Sequence, residues 1–216
     1  MPTHSVLKCG ESRSFPGQHP LLDASVDNGE VTILIGTGAG ALFTPDPART
    51  AILVELDTES LGVHTGESRG EEGSNVLGFA RYRLGTAEAT DLVELVRQPN
   101  TDERAIAAAR EVLESAGLEV AVCYDSPGRI LDRLIRPYYN EALRRLDEGL
   151  ATADDMDLTL KLGLGYPEGP IERLERTGLD HHHDVSKALF DVIGERAYAP
   201  ARRAVVAKIQ QTKRAT

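Results

Sequence analysis

Three groups of residues in this chain are of types that do chemistry. The first is Gly36-Thr-Gly38-Ala-Gly-Ala41, directly after the apolar run Val31-Thr-Ile-Leu-Ile35. Its spacing fits G-x-G-x-x-A, the turn that lets backbone approach a dinucleotide pyrophosphate. Glu55 and Asp57 stand about 20 residues on, where a ribose-binding acid belongs. On that reading Gly36 and Gly38 are cofactor contacts. The chemistry also needs a helix right after the glycines, because its free N–H groups and dipole hold the pyrophosphate. Pro45 and Pro47 follow too soon for one, and the interval between the two flanking apolar runs barely accommodates a βαβ crossover. The expectation is a glycine-rich turn between strands, with NAD binding as the alternative.

The second group is His181-His-His183. Consecutive helical residues point about 100° apart, unlike the i,i+4 pair that sets two metal ligands on one face. A solvated helix start after Asp180 is expected, and no metal. The third group is Cys9 and Cys123, far apart and without a CxxC partner, expected as reduced thiols of a cytoplasmic protein.

The elements that must position such residues follow from composition and pattern. The chain has 216 residues, with 34 acids against 24 bases and a formal net charge of −10. That balance argues against nucleic acid, whose binders neutralise phosphates, and against an anionic membrane surface. No apolar run approaches the roughly 20 residues of a membrane span, and Met1 to Pro20 lacks the apolar core of a signal peptide. Val31–Ile35 and Ala51–Leu56 read as buried strands, Val76–Tyr82 as a third, and Asp91–Val96 as strand or short helix. Glu67 to Ser74 reads as a surface loop. Thr101 caps a helix to Ala116, ended by Gly117, and Leu118–Cys123 follows as a strand. Beyond Ser126 the pattern is helical: a long helix to Leu150 with a kink expected at Pro137, one opened by Thr152, one from Pro170 to Gly178, and two more to about residue 213. The basic residues Arg202, Arg203, Lys208, Lys213 and Arg214 are read as a solvated face, or as a site for phosphates or an acidic partner.

Four ordered motifs in the second half resemble one family. Ser126-Pro-Gly-Arg-Ile-Leu-Asp-Arg-Leu-Ile-Arg-Pro-Tyr-Tyr-Asn-Glu-Ala142 resembles P-G-F-x-x-N-R-x-x-x-P-Y-x-N-E-A of the 3-hydroxyacyl-CoA dehydrogenases. Gly149–Asp157 is similar to that family's G-x-A-x-x-x-D-I-D. Leu162–Pro170 is similar to its L-G-x-G-x-P-M-G-P, and Thr177-Gly-Leu-Asp180 to the x-G-L-D that follows. The resemblance implies a reduced Rossmann-like domain, as in the back half of double-length members, over 1–125. A helical domain of the kind through which the family dimerises is implied over 126–216. The fold class expected is α/β plus all-α.

The family's reaction uses a His–Glu pair, with a Ser and an Asn polarising the substrate oxygen. Its N-T-S-S-L matches Asp57-Thr-Glu-Ser-Leu61, so the serine falls on Glu59, with Ser60 beside it. Its G-L-H-F-F matches Gly78-Phe-Ala-Arg-Tyr82, so Ala80 replaces the histidine. The glutamate matches Glu94 and the asparagine Asp132. An alanine cannot take a proton. The resemblance therefore implies a dehydrogenase-like protein without dehydrogenase chemistry and without a cofactor. It would act as a homodimer, or beside a complete dehydrogenase, and could still bind acyl-CoA. The alternative is an active NAD-dependent enzyme, alone or completed by a partner, in which Glu94 orients and His64 is recruited as base. A third reading uses Glu59 and Glu94 as a carboxylate pair for hydration.

Overall fold

The computed structural model describes residues 1–66 and 74–215. It divides into two compact units: Met1–Arg83 with Glu88–Ile130, and Leu84–Ala87 with the chain from Leu131 onward. The loop expected at 67–74 lies almost wholly outside the described residues.

The first unit is built on a six-stranded sheet of β1 (His4–Lys8), β2 (Val31–Ile35), β3 (Ala51–Glu55), β4 (Val76–Arg81), β5 (Leu92–Arg97) and β6 (Glu119–Tyr124). The spatial order is the chain order. β1 to β4 are mutually parallel, β5 is antiparallel to β4, and β6 is parallel to β5. β5 is thus the strand of the two options its sequence allowed. β2 and β3 are apolar on both faces because both faces are covered. One face, with Ile33, Leu53, Leu77, Phe79 and Leu95, packs on α4 (Glu103–Ser115) through Ala105, Ala109, Val112 and Leu113. The other face gathers Leu34, Ile52, Val54, Val76 and Val96 beneath Ala39 and Leu61. Three one-turn helices, α1 (Pro20–Asp23), α2 (Ala39–Leu42) and α3 (Gly62–Thr65), complete the unit.

One expectation for the sheet unit is corrected, and one strand is added. Asp102, not Thr101, caps α4: its carboxylate accepts the Arg104 N–H at 2.9 Å, while Thr101 Oγ1 accepts the Gln98 N–H at 2.8 Å. β1 carries no signal of a strand in sequence, yet it pairs along its whole length with β2. On its outer edge the Val6 N–H donates to Ser25 Oγ and the Val26 N–H to the His4 carbonyl.

The second unit is helical: α5 (Leu131–Asp147, continuous through Pro137), α6 (Ala153–Leu164), α7 (Pro170–Thr177), α8 (Leu179–Ile193) and α9 (Arg202–Ala215). Thr152 Oγ1 accepts the Asp155 N–H, and Pro170 opens α7, as their types require. The solvated reading of the histidine run fails at His182, which is buried in α8. Arg136 can only donate, so His182 Nδ1 accepts from its Nη1 at 3.2 Å and Nε2 carries the proton, donating to Asn140 Oδ1 at 3.0 Å. Asn140 Oδ1 also accepts the Ala201 N–H, and its Nδ2 donates to the Ala197 carbonyl. One polar knot therefore ties α5, α8 and the entry to α9. The basic face of α9 is paired internally: Arg202 and Arg203 grip Asp147, and Lys208 reaches Asp184. Among the described residues no helix is long and apolar enough to cross a membrane.

Burial, aided by the Arg136 cation, holds the His182 imidazole down to about 3. An unfolded histidine titrates near 6.5. Between those values the unfolded chain binds a proton that the folded chain does not, so stability falls as pH drops through that window. Urea midpoints measured from pH 7 to 4 should decline, and His182→Gln should flatten the decline. Parallel declines in parent and variant would refute this role.

Candidate functional site

The candidate residues on the sheet gather around Glu94 of β5. In the antiparallel ladder Ala80 of β4 lies directly opposite Glu94. Cross-strand partners share a face, so a side chain at position 80 is the natural neighbour of this carboxylate. Alanine offers it only a methyl group. Glu94 is instead held by Arg129, whose Nε lies 3.3 Å from Glu94 Oε2, both side chains being buried. The Ile130 N–H donates to Glu94 Oε1 at 3.0 Å. Arg129 Nη2 donates to the Asp57 carbonyl at 2.5 Å. A guanidinium keeps its proton at any working pH, so it neutralises the carboxylate but cannot serve as a base. Burial, reinforced by the charge of Glu94, pushes the Cys123 thiol up to about 11, so it is no nucleophile at neutral pH either.

The segment after β3 carries the other candidates. Asp125 accepts the N–H groups of Leu61 and Gly62 at 2.7 and 2.8 Å, and the Gly128 N–H donates to the Thr58 carbonyl. These bonds lay residues 57–65 along the sheet. Ser60 lines a shallow pocket with Gln98, Tyr124 and Asp125. His64 lies in α3 against Gly40, where a Cβ would strike the imidazole ring. Its Nε2 is 3.3 Å from Glu59 Oε1. The structure therefore pairs His64 with Glu59, and Glu94 with Arg129. The two carboxylates considered together for hydration each have a different cationic or imidazole partner. Asp132 belongs to the helical unit, where it bonds Arg136 Nε at 2.8 Å.

The glycine turn is built differently from a nucleotide site. The Gly36 N–H donates to Glu55 Oε2 at 2.5 Å, Thr37 to the Glu11 carbonyl, Gly38 to the Cys9 carbonyl at 2.7 Å, and Ala39 to the Gly36 carbonyl. Glu55, the acid that spacing assigned to a ribose, also accepts from the Ser14 N–H and the Ser12 hydroxyl. Gly36 has φ +104° and packs on the backbone of Gly10, so a side chain there would clash. The helix after the turn is the single turn α2, ending before Pro45. The N–H groups of Gly36, Thr37, Gly38 and Ala39 are thus all bonded inside the protein.

Residues 128–215 match the C-terminal domain of 3-hydroxyacyl-CoA dehydrogenase. The chain is 27% identical over 180 residues to a 3-hydroxybutyryl-CoA dehydrogenase of Bradyrhizobium diazoefficiens, covering 83% of this chain and 59% of the relative. It is 30% identical over 174 residues to one of Mycobacterium tuberculosis, covering 74% of this chain and 60% of the relative. The solved 3-hydroxybutyryl-CoA dehydrogenase of Escherichia coli aligns at 25% identity with a TM-score of 0.73, over 85% of this chain and 40% of that one. The chain belongs to the 3-hydroxyacyl-CoA dehydrogenase family. It spans about three fifths of the length of those two curated relatives, and its fold is the family's Rossmann-like sheet unit plus a helical unit.

Within the 3-hydroxyacyl-CoA dehydrogenase family pattern, Arg129 is the residue that sequence reasoning passed over. It stands where P-G-F has phenylalanine, three positions before Asp132. An apolar residue replaced by arginine beside a buried acid was the available signal. Because both charges are buried, removing one strands the other. Arg129→Met should cost about 3–5 kcal/mol, and adding Glu94→Gln should recover most of it. Denaturant unfolding of the two single variants and the double variant measures this coupling. Additive losses would mean that the pair is not a unit.

Proposed function

We propose that this chain is a member of the 3-hydroxyacyl-CoA dehydrogenase family that has given up hydride-transfer chemistry at the usual position. It serves as a structural, regulatory or acyl-CoA-binding subunit in fatty acyl-CoA metabolism. One observation carries the reading: Ala80 faces Glu94 across the ladder, and Arg129 neutralises that carboxylate. General base catalysis needs a group that can accept a proton near neutral pH, and neither Ala80 nor Arg129 is one. The spent N–H groups of the glycine turn support the same reading for NAD. Leu158 and Leu162, exposed one turn apart on α6, support a subunit that works as a homodimer or beside a complete dehydrogenase.

A second reading has one observation in its favour. His64 and Glu59 form an imidazole–carboxylate pair, the kind of arrangement that prepares a base. On that reading the chain is an NAD-dependent 3-hydroxyacyl-CoA dehydrogenase, alone or completed by a partner chain.

NADH oxidation with acetoacetyl-CoA, at high concentration of the purified chain, separates the two. The expected result is no turnover above background, with acetoacetyl-CoA binding tested separately by calorimetry. Turnover that disappears in His64→Ala would establish the second reading and overturn the first.

A further inference from the structure

The helical unit holds a cavity of about 430 Å³ between α5 and the turn that enters α7. Tyr138, Tyr139 and Ile135 of α5 form one side, Tyr166 and Pro167 the other, and Arg173 belongs to its lining. Tyr166 meets Tyr138 edge to face, with ring centroids 6.4 Å apart and planes at 82°. Tyr138 and Tyr139 lie 5.3 Å apart. The volume is that of a small-molecule site, and flat rings with few polar groups are its usual lining.

One feature is incomplete without an occupant. The Tyr138 hydroxyl is buried and has no hydrogen-bond partner. Such orphans are uncommon in native proteins and call for an acceptor. Burial pushes this hydroxyl up to about 12, so it remains a donor at any physiological pH. Beside it lie charged groups: Glu168 sits between Arg173 at 2.9 Å and Arg176 at 2.8 Å, Arg173 also bonds Tyr139, and Glu172, paired with Lys161, acts on Arg176. Asp157, which also acts on Tyr138, is committed to the N–H groups of Ile171 and Glu172. Glu168 stands where the family pattern has methionine, so this ionic group is a property of this chain.

We propose that this pocket binds a small aryl carboxylate, its ring among the three tyrosines and its carboxylate accepting from the Tyr138 hydroxyl and facing Arg173. The pocket lies wholly within the helical unit and is independent of what Glu94 does.

The chain has no tryptophan and six tyrosines, three of them in this lining, so tyrosine emission reports on the pocket directly. The intact chain is titrated with phenylacetate up to about 10 mM, with calorimetry in parallel. A saturable change is expected, with phenylacetamide binding about tenfold more weakly for want of the charge. Tyr138→Phe and Arg173→Gln should each weaken phenylacetate about tenfold while circular dichroism stays that of the parent. If Tyr138→Phe fails to fold, Arg173→Gln, at a partly exposed position, carries the test. No saturable change, equal affinity for the amide, or unchanged affinity in the folded variants would overturn the proposal. So would emission that varies with protein concentration but not with phenylacetate, since a second copy would then cover the pocket.

Discussion

A carboxylate in the middle of a sheet is costly unless something charged or hydrogen-bonding meets it. Glu94 is such a group, and most of the local architecture answers to it. With only a methyl group across the ladder at Ala80, the counter-charge comes from Arg129, five residues beyond the end of β6. To reach inward, Arg129 takes φ +52° directly after Gly128 at +73°. A left-handed arginine persists only where its surroundings over-determine it. Here they do: its own side chain is tied to Glu94 and Asp57, and its neighbours Gly128 and Ile130 are tied to Thr58 and Glu94. The ion pair thus also clamps the segment carrying Ser60 and His64 against the sheet.

The glycine turn illustrates how one spacing serves two purposes. A pyrophosphate and a neighbouring loop make the same demand on backbone: close approach without a Cβ. In this chain the loop takes that place. Gly36 packs on Gly10, and Glu55 supplies the anion that gathers the turn's leading N–H. The strand order is consistent with this. Dinucleotides sit where the order of an open parallel sheet reverses. Among the described residues the order runs from β1 to β6 without reversal.

Much of the fold was legible because its signals are local. The continuous apolar runs of β2 and β3, the one-sided pattern of α4 and the caps of α6 and α7 need only neighbouring residues to read. β1 was not legible, because His4-Ser-Val-Leu-Lys8 lies at the sheet edge, where half-exposed positions blur the pattern. His182 was misread because a run of three histidines looks polar, while burial is decided by Arg136 and Asn140 more than forty residues away. The alignment of Ala80 with Glu94 could be guessed from motifs, but the register that makes them neighbours exists only in the folded ladder. The partner of Glu94 was hidden for the same reason: Arg129 is 35 residues distant in sequence.

The outer edge of β1 has a bearing on how the protein meets other chains. An edge strand ordinarily offers a row of donors and acceptors on which a foreign strand can nucleate. Here Ser25 Oγ accepts the Val6 N–H and the His4 carbonyl accepts the Val26 N–H, two groups within the first three residues of a five-residue strand. What remains is too short a template for a foreign strand to follow. Growth of the sheet by backbone pairing is thereby discouraged on this side, and association there must rely on side chains, whose shapes and charges discriminate between partners as a bare ladder cannot.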